Sequence, residues 1–125
     1  IAHCNGLRDI YDWNNVDLDQ PDLKILELIL YHQSIGDKLL FITGRNIASK
    51  DKTILWLHKN GINNIEMLLM RENDDLPDDM FKKQLYESEI KDKYFVKMVY
   101  EDRQSVVEMW RNLGLKVLQV EAGEY

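Results

Sequence analysis

Lys38-Leu39-Leu40-Phe41-Ile42-Thr43, closed by Gly44, is the segment on which the reading of the fold turns. The run is apolar and too short for a helix, which suits a β-strand covered on both faces. Upstream, Asp19 can cap a helical turn in which Pro21 is tolerated. Leu23, Leu26, Ile29 and Leu30 then recur at helical spacing until Gly36. Downstream, Ser49 precedes an amphipathic segment with Ile54, Leu55, Leu57 and His58, ended by Asn60 and Gly61. The spacing therefore predicts helix, strand, helix around KLLFIT.

The same alternation continues to the C-terminus. Ile65 to Met70 (IEMLLM) reads as a buried strand, and a charged loop from Arg71 to Pro77 leads into a helix running to about Ile90. Val96 to Tyr100 (VKMVY) is the next strand. Asp102 can cap a helix whose core face holds Val106, Val107, Trp110 and Leu113 and which stops at Gly114; Leu115 to Val120 (LKVLQV) is the last strand. Strands alternating with crossover helices predict an α/β domain with a mainly parallel sheet and helices on both faces. The opening stretch, His3 to Asn15, is polar and irregular, with no strand read before the first helix.

Composition bounds what such a domain can do. With 125 residues the chain is expected to form one domain, and 45% apolar with 30% charged residues supply a core without the signature of disorder. A net charge of −6 argues against a broad basic surface for duplex binding but leaves room for a local phosphate pocket. Cys4 is the single cysteine, so there is no internal disulfide and no cysteine-cluster zinc site, and a reducing, cytoplasmic setting fits. No apolar run approaches a membrane span. His3, His32 and His58 share no metal-ligand spacing, and Trp56 and Trp110 read as core. Trp13 is the one tryptophan considered for substrate contact. Neither GxxxxGK[ST] nor GxGxxG occurs, so no nucleotide-triphosphate or dinucleotide site is visible.

In open parallel sheets, ligands bind where strands end. After the first strand come Thr43, Gly44 and Arg45: a hydroxyl, a residue allowing close backbone approach, and a permanent cation, a trio that suits an oxyanion. The same trio also reads as an ordinary turn followed by a solvated arginine. After the third strand, Glu101 and Asp102 offer two carboxylates to a divalent cation, magnesium being the natural one, with Arg103 beside them. Alternatively, Asp102 only caps the next helix and Glu101 is exposed. Asp78 and Lys82 lie four apart on one helix face, where Lys82 can neutralise a phosphate that Asp78 orients. As an exposed ion pair they would contribute only about 0.3–0.5 kcal/mol.

Together these junctions resemble the haloacid dehalogenase superfamily, whose second motif is a strand ending in Thr or Ser, third a lysine, and fourth an acidic pair after a strand. FITGRN (Phe41 to Asn46), YEDRQSVVEMWRNLGLKVLQVEAGEY (Tyr100 to Tyr125) and AHCNGLRDIYDW (Ala2 to Trp13) are similar to the 3′-phosphatase domain of phage polynucleotide kinases. The resemblance implies a three-layer, Rossmann-like sheet and a single phosphatase domain over 1–125. It also implies removal of 3′-terminal phosphate from RNA or DNA ends in nucleic-acid repair, through Mg2+ and an aspartyl-phosphate. By position, Thr43 hydrogen-bonds a phosphate oxygen, Gly44 contacts the phosphate, Arg45 binds it or helps order the site, and Lys82, oriented by Asp78, stabilises the transferring group. Asp102 holds magnesium, with Glu101 standing where the family more often has Asp. Arg103 and, in the opening loop, Arg8 contact substrate, Arg8 rather than Leu7 having the chemistry.

The resemblance further implies that the DxDGT motif, with the nucleophilic and acid/base aspartates, lies just before Ile1. The sequence is accordingly read as a piece of a larger enzyme, lacking the central first strand and inactive without the upstream Asp-x-Asp. A linked N-terminal kinase domain and the cytoplasm of an infected host belong to the same expectation, with no membrane partner. On this reading Lys82→Ala and Asp102→Ala in the complete enzyme each abolish most turnover and leave the fold intact. The alternatives are a receiver-like or catalytically dead phosphoryl-binding domain, or a small-molecule phosphatase of the same superfamily. A receiver's lysine normally follows a strand closely, whereas Lys82 is expected within a helix.

Overall fold

A computed structural model describes residues 2–3, 20–72 and 75–123. In chain order these form β1 (Ala2–His3), β2 (Gln20–Pro21), α1 (Leu23–Ser34), β3 (Leu39–Asn46), a 3-10 turn (Ile47–Ser49), α2 (Lys50–Lys59) and β4 (Ile65–Arg71). There follow α3 (Asp78–Leu85), a π-helical turn (Tyr86–Ile90), β5 (Val99–Arg103), α4 (Gln104–Asn112) and β6 (Val117–Gly123). The chain divides into two compact units, Ile1–Asp74 and Asp75–Tyr125. Each contains one parallel strand pair, β3 with β4 and β5 with β6, and each second strand is reached through a helix. The expected α/β class with parallel strands is what forms.

In the N-terminal unit, Leu26 and Ile29 of α1, Trp56 and Leu57 of α2, and Ile62 build the core, with Leu39, Phe41 and Ile65 of the strands packed against it. Leu23, expected on that core face, is 72% exposed because it is the first helical residue and lies outside the buried stripe. The start of α1 also differs from expectation. Asp22 is the N-cap, its carboxylate accepting the N–H groups of Lys24 and Ile25, while Pro21 is drawn into β2 by pairing with Ala2. A short strand therefore does precede the first helix. Asp19 and most of the opening stretch, with Cys4, Arg8 and Trp13, lie outside the described residues.

Gly61 (φ +88°) and Gly114 (φ +84°) end α2 and α4 in the left-handed region that only glycine enters without strain. On α2 the buried face is Thr53, Trp56 and Leu57, whereas Leu55 is 64% exposed and His58 is exposed too, which corrects the face read for this helix. In the C-terminal unit Val106, Val107, Met109 and Trp110 of α4 are buried, as are Ile90 and Val117. Tyr86 meets Trp110 edge-on at 5.8 Å between ring centres. Leu113 is only half-buried.

Three strands extend past their apolar runs. β3 continues through Gly44 and Arg45 to Asn46, β5 spans Val99–Arg103 rather than Val96 to Tyr100, and β6 spans Val117–Gly123 rather than Leu115 to Val120. The reason is backbone pairing, which carries polar residues into the ladders: Asn46 is aligned with Arg71, and Arg103 with Gly123. Among the described residues no helix is long and apolar enough to cross a membrane.

Candidate phosphoryl-binding site

Lys82 faces inward from α3 and is only 7% exposed. Its Nζ lies 3.2 Å from Asp78 Oδ2, one turn earlier, and 3.0 Å from Glu101 Oε2 on β5; the two carboxylate side chains are 9% and 10% exposed. Arg103 Nη1 approaches Asp78 Oδ2 at 3.9 Å. An ammonium leaves water at this cost only when carboxylates compensate it, and two do so here. The reading of Asp78 and Lys82 as an exposed surface pair is thereby corrected, as is that of an exposed Glu101. Within the C-terminal unit the structure brings together Asp78, Lys82, Glu101 and Arg103.

Glu101 is occupied on both oxygens. Oε2 accepts from Lys82, and Oε1 accepts the backbone N–H groups of Asp102 at 3.1 Å and Arg103 at 3.4 Å. Asp102 is exposed and lies in β5, not at the cap of α4; that cap is Arg103, which makes no side-chain capping bond. The capping reading of Asp102 falls because β5 runs on through it. Around Asp102 the ladder is irregular: β5 advances two residues, from Glu101 to Arg103, while β6 advances four, from Gln119 to Gly123.

Thr43, Gly44 and Arg45 belong to the N-terminal unit. They fall in the corresponding irregularity of the other pair, where β3 advances from Ile42 to Asn46 while β4 advances only from Leu69 to Arg71. Thr43 Oγ1 accepts the Arg45 N–H at 3.1 Å, which leaves the hydroxyl proton to donate. Arg45 is half-buried, and its Nη1 contacts Thr53 Oγ1 at 3.5 Å, so it is not the fully solvated charge of the alternative reading. Ser49 and Asn46 shape the following turn: Asn46 Oδ1 accepts the Ala48 N–H and Ser49 Oγ donates to the Asn46 carbonyl.

Among the described residues no three His, Cys, Asp or Glu side chains form a group that could hold a metal ion. Magnesium, however, is commonly held by one or two carboxylates together with substrate phosphate, and the exposed Asp102 carboxylate is a donor of that kind. Glu101 already accepts three hydrogen bonds.

The family model for the polynucleotide kinase PNKP phosphatase domain matches residues 1–125. The chain belongs to that family. A putative bifunctional polynucleotide kinase/RNA ligase of Autographa californica nuclear polyhedrosis virus is 32% identical over 111 residues, covering 86% of this chain and 16% of that protein. Two solved structures, of a Pnkp1/Rnl/Hen1 complex and of the Pnkp1/Rnl/Hen1 RNA repair complex, each match 99% of the chain at 35% identity and a TM-score of 0.91. The chain spans 43% and 40% of those chains. The fold is therefore that of the haloacid dehalogenase-type phosphatase domain of polynucleotide kinases, as the motifs implied.

Sequence reasoning missed two residues near these segments. Gln119 on β6 donates from Nε2 to the Asp102 carbonyl at 3.1 Å and to Gln104 Oε1 at 3.0 Å. Thr53 supports Arg45. Gln119 carries no local signal, being one polar residue in an alternating strand.

Proposed function

We propose that the protein carrying this chain is a Mg2+-dependent polynucleotide 3′-phosphatase acting on RNA or DNA ends in nucleic-acid repair. The observation that carries the reading is the buried Lys82, held between Asp78 and Glu101, in a chain matched over its length by the phosphatase family. A buried cation with two carboxylates has a clear use in receiving phosphoryl charge. Two of its three ammonium protons go to Asp78 and Glu101, and the third is available to a phosphoryl oxygen. RNA is favoured among substrates by the neighbour described as an RNA repair complex. Linkage to a kinase domain is supported by the bifunctional viral relative; the proposed workplace, the cytoplasm of the host cell, follows from the family resemblance alone.

In this reading an aspartate of the DxDGT motif attacks the terminal phosphorus, the bond to the 3′ oxygen breaks, and the second aspartate gives that oxygen its proton. Water then hydrolyses the phosphoaspartate. Within the C-terminal unit, Arg103 binds the incoming phosphate and Lys82 neutralises its oxygens as charge builds; for Thr43, Gly44 and Arg45 the family resemblance implies phosphate contacts of their own. Arg8, by the family resemblance, contacts substrate. Asp102 would hold magnesium, which would supply Lewis-acid stabilisation of the phosphoryl oxygens.

The test is phosphate release by the full-length protein from a 3′-phosphorylated oligonucleotide, set beside a small phosphomonoester. Turnover of the oligonucleotide at least tenfold more efficient, dependent on Mg2+ and reduced about 100-fold or more by Asp102→Asn, is expected. Equal rates on both substrates would make it a small-molecule phosphatase. A stable acyl-phosphate without turnover would make it a receiver-like module.

A further inference from the structure

Asp102 falls in the irregular part of the β5–β6 ladder, between the aligned pairs Glu101 with Gln119 and Arg103 with Gly123. Side chains hydrogen-bond its backbone there. The N–H donates to Glu101 Oε1 at 3.1 Å, and the carbonyl accepts from Gln119 Nε2 at 3.1 Å. The amide of Gln119 is itself oriented, because Nε2 also donates to Gln104 Oε1 at 3.0 Å, and Gln104 Nε2 donates onward to Glu108 Oε1 at 3.0 Å. Gln104 opens α4, so this chain of bonds ties the end of β5 both to β6 and to the first turn of the next helix. The peptide units on either side of the Asp102 Cα sit at a strand irregularity, and each is oriented by a side chain: the first through its N–H to Glu101, the second through its carbonyl from Gln119.

We infer that Gln119 is a positioning residue for Asp102. By fixing the Asp102 carbonyl, Gln119 sets the direction in which the carboxylate leaves the strand, and thus how well that carboxylate meets a divalent cation. The inference rests on the proposed role of Asp102 and extends it to a residue that touches neither substrate nor metal. Groups that orient a metal ligand typically govern affinity by about 10- to 100-fold when removed.

The experiment uses the full-length protein and Gln119→Met, which keeps the length of the side chain and removes the donor. Mn2+ binding is followed by electron paramagnetic resonance, alongside the Mg2+ dependence of oligonucleotide turnover. Expected are Mn2+ binding about tenfold weaker and a half-saturating Mg2+ concentration about tenfold higher, with KM for the oligonucleotide changed less than threefold. Gln119→Lys, which restores a donor, recovers part of the loss. A purely structural role would lower the melting temperature without this selective change in metal dependence. Wild-type Mn2+ affinity in folded Gln119→Met overturns the inference.

Should Gln119→Met not fold, Gln104→Met removes the acceptor that orients the amide, and wild-type Mn2+ affinity there counts equally against it. Asp102→Asn separates the two layers. If it leaves metal binding and turnover untouched, the proposed role of Asp102 fails; if it abolishes both while Gln119→Met does nothing, only the positioning inference fails.

Discussion

Lys82 shows how one burial decides what a substitution means. On sequence grounds Lys82→Ala was expected to stop turnover and leave the fold intact. With Asp78 and Glu101 both about nine-tenths buried against the ammonium, removing it takes away the cation that the two carboxylates share, although Asp78 keeps Arg103 at 3.9 Å and Glu101 keeps two backbone N–H donors. Lys82→Ala is therefore predicted to cost about 3–5 kcal/mol, the usual consequence of breaking a buried ion pair from one side, read as a lowered urea midpoint with an unchanged slope. A midpoint within experimental error of wild type would show that the pair is solvated. Asp102 is the opposite case. Its carboxylate is exposed, so Asp102→Asn is expected to change stability by less than about 0.5 kcal/mol, and it isolates chemistry from folding where Lys82→Ala does not.

At the scale of elements, two contacts hold the N-terminal unit in ways that invite measurement. Asp22 satisfies two orphan N–H groups of α1, and Asp22→Ala should lower stability by about 1 kcal/mol, or about 2–8 °C in melting temperature. Gln33, in the last turn of α1, donates to the Gly61 carbonyl and accepts the N–H groups of Asn63 and Asn64, stapling α1 to the segment between α2 and β4. Gln33→Ala is predicted to cost about 1–3 kcal/mol and to speed hydrogen exchange at Asn63 and Asn64; unchanged exchange at those amides would argue against the staple. Gly61 was legible as a helix stop because a positive φ demands glycine, a local requirement. The staple was not legible, because it joins positions about thirty residues apart through one amide.

At the scale of the whole chain the net charge is −6, so the proposed binding to a nucleic-acid end would rely on a few local cations, not on a basic surface. With about two phosphate contacts on a single strand, KM should rise only about sevenfold between 50 and 200 mM salt. A rise of a hundredfold or more would reveal an extended phosphate-binding track. Steady-state phosphate release across that salt range makes the measurement.

Alternation of apolar runs with amphipathic segments was enough to establish an α/β chain with parallel strands, since parallel neighbours require crossovers and each run's period is a local property. The stretches FITGRN, Ala2 to Trp13 and Tyr100 to Tyr125 carried the resemblance to the family, which the spacing of single residues could not decide. Where the strands end, that Lys82 is buried, that Glu101 serves Lys82 and that Gln119 holds Asp102 were decided only in three dimensions. Backbone ladders recruit polar residues that no hydrophobic period marks, and a charge becomes buried through partners brought to it by folding, not by its neighbours in sequence.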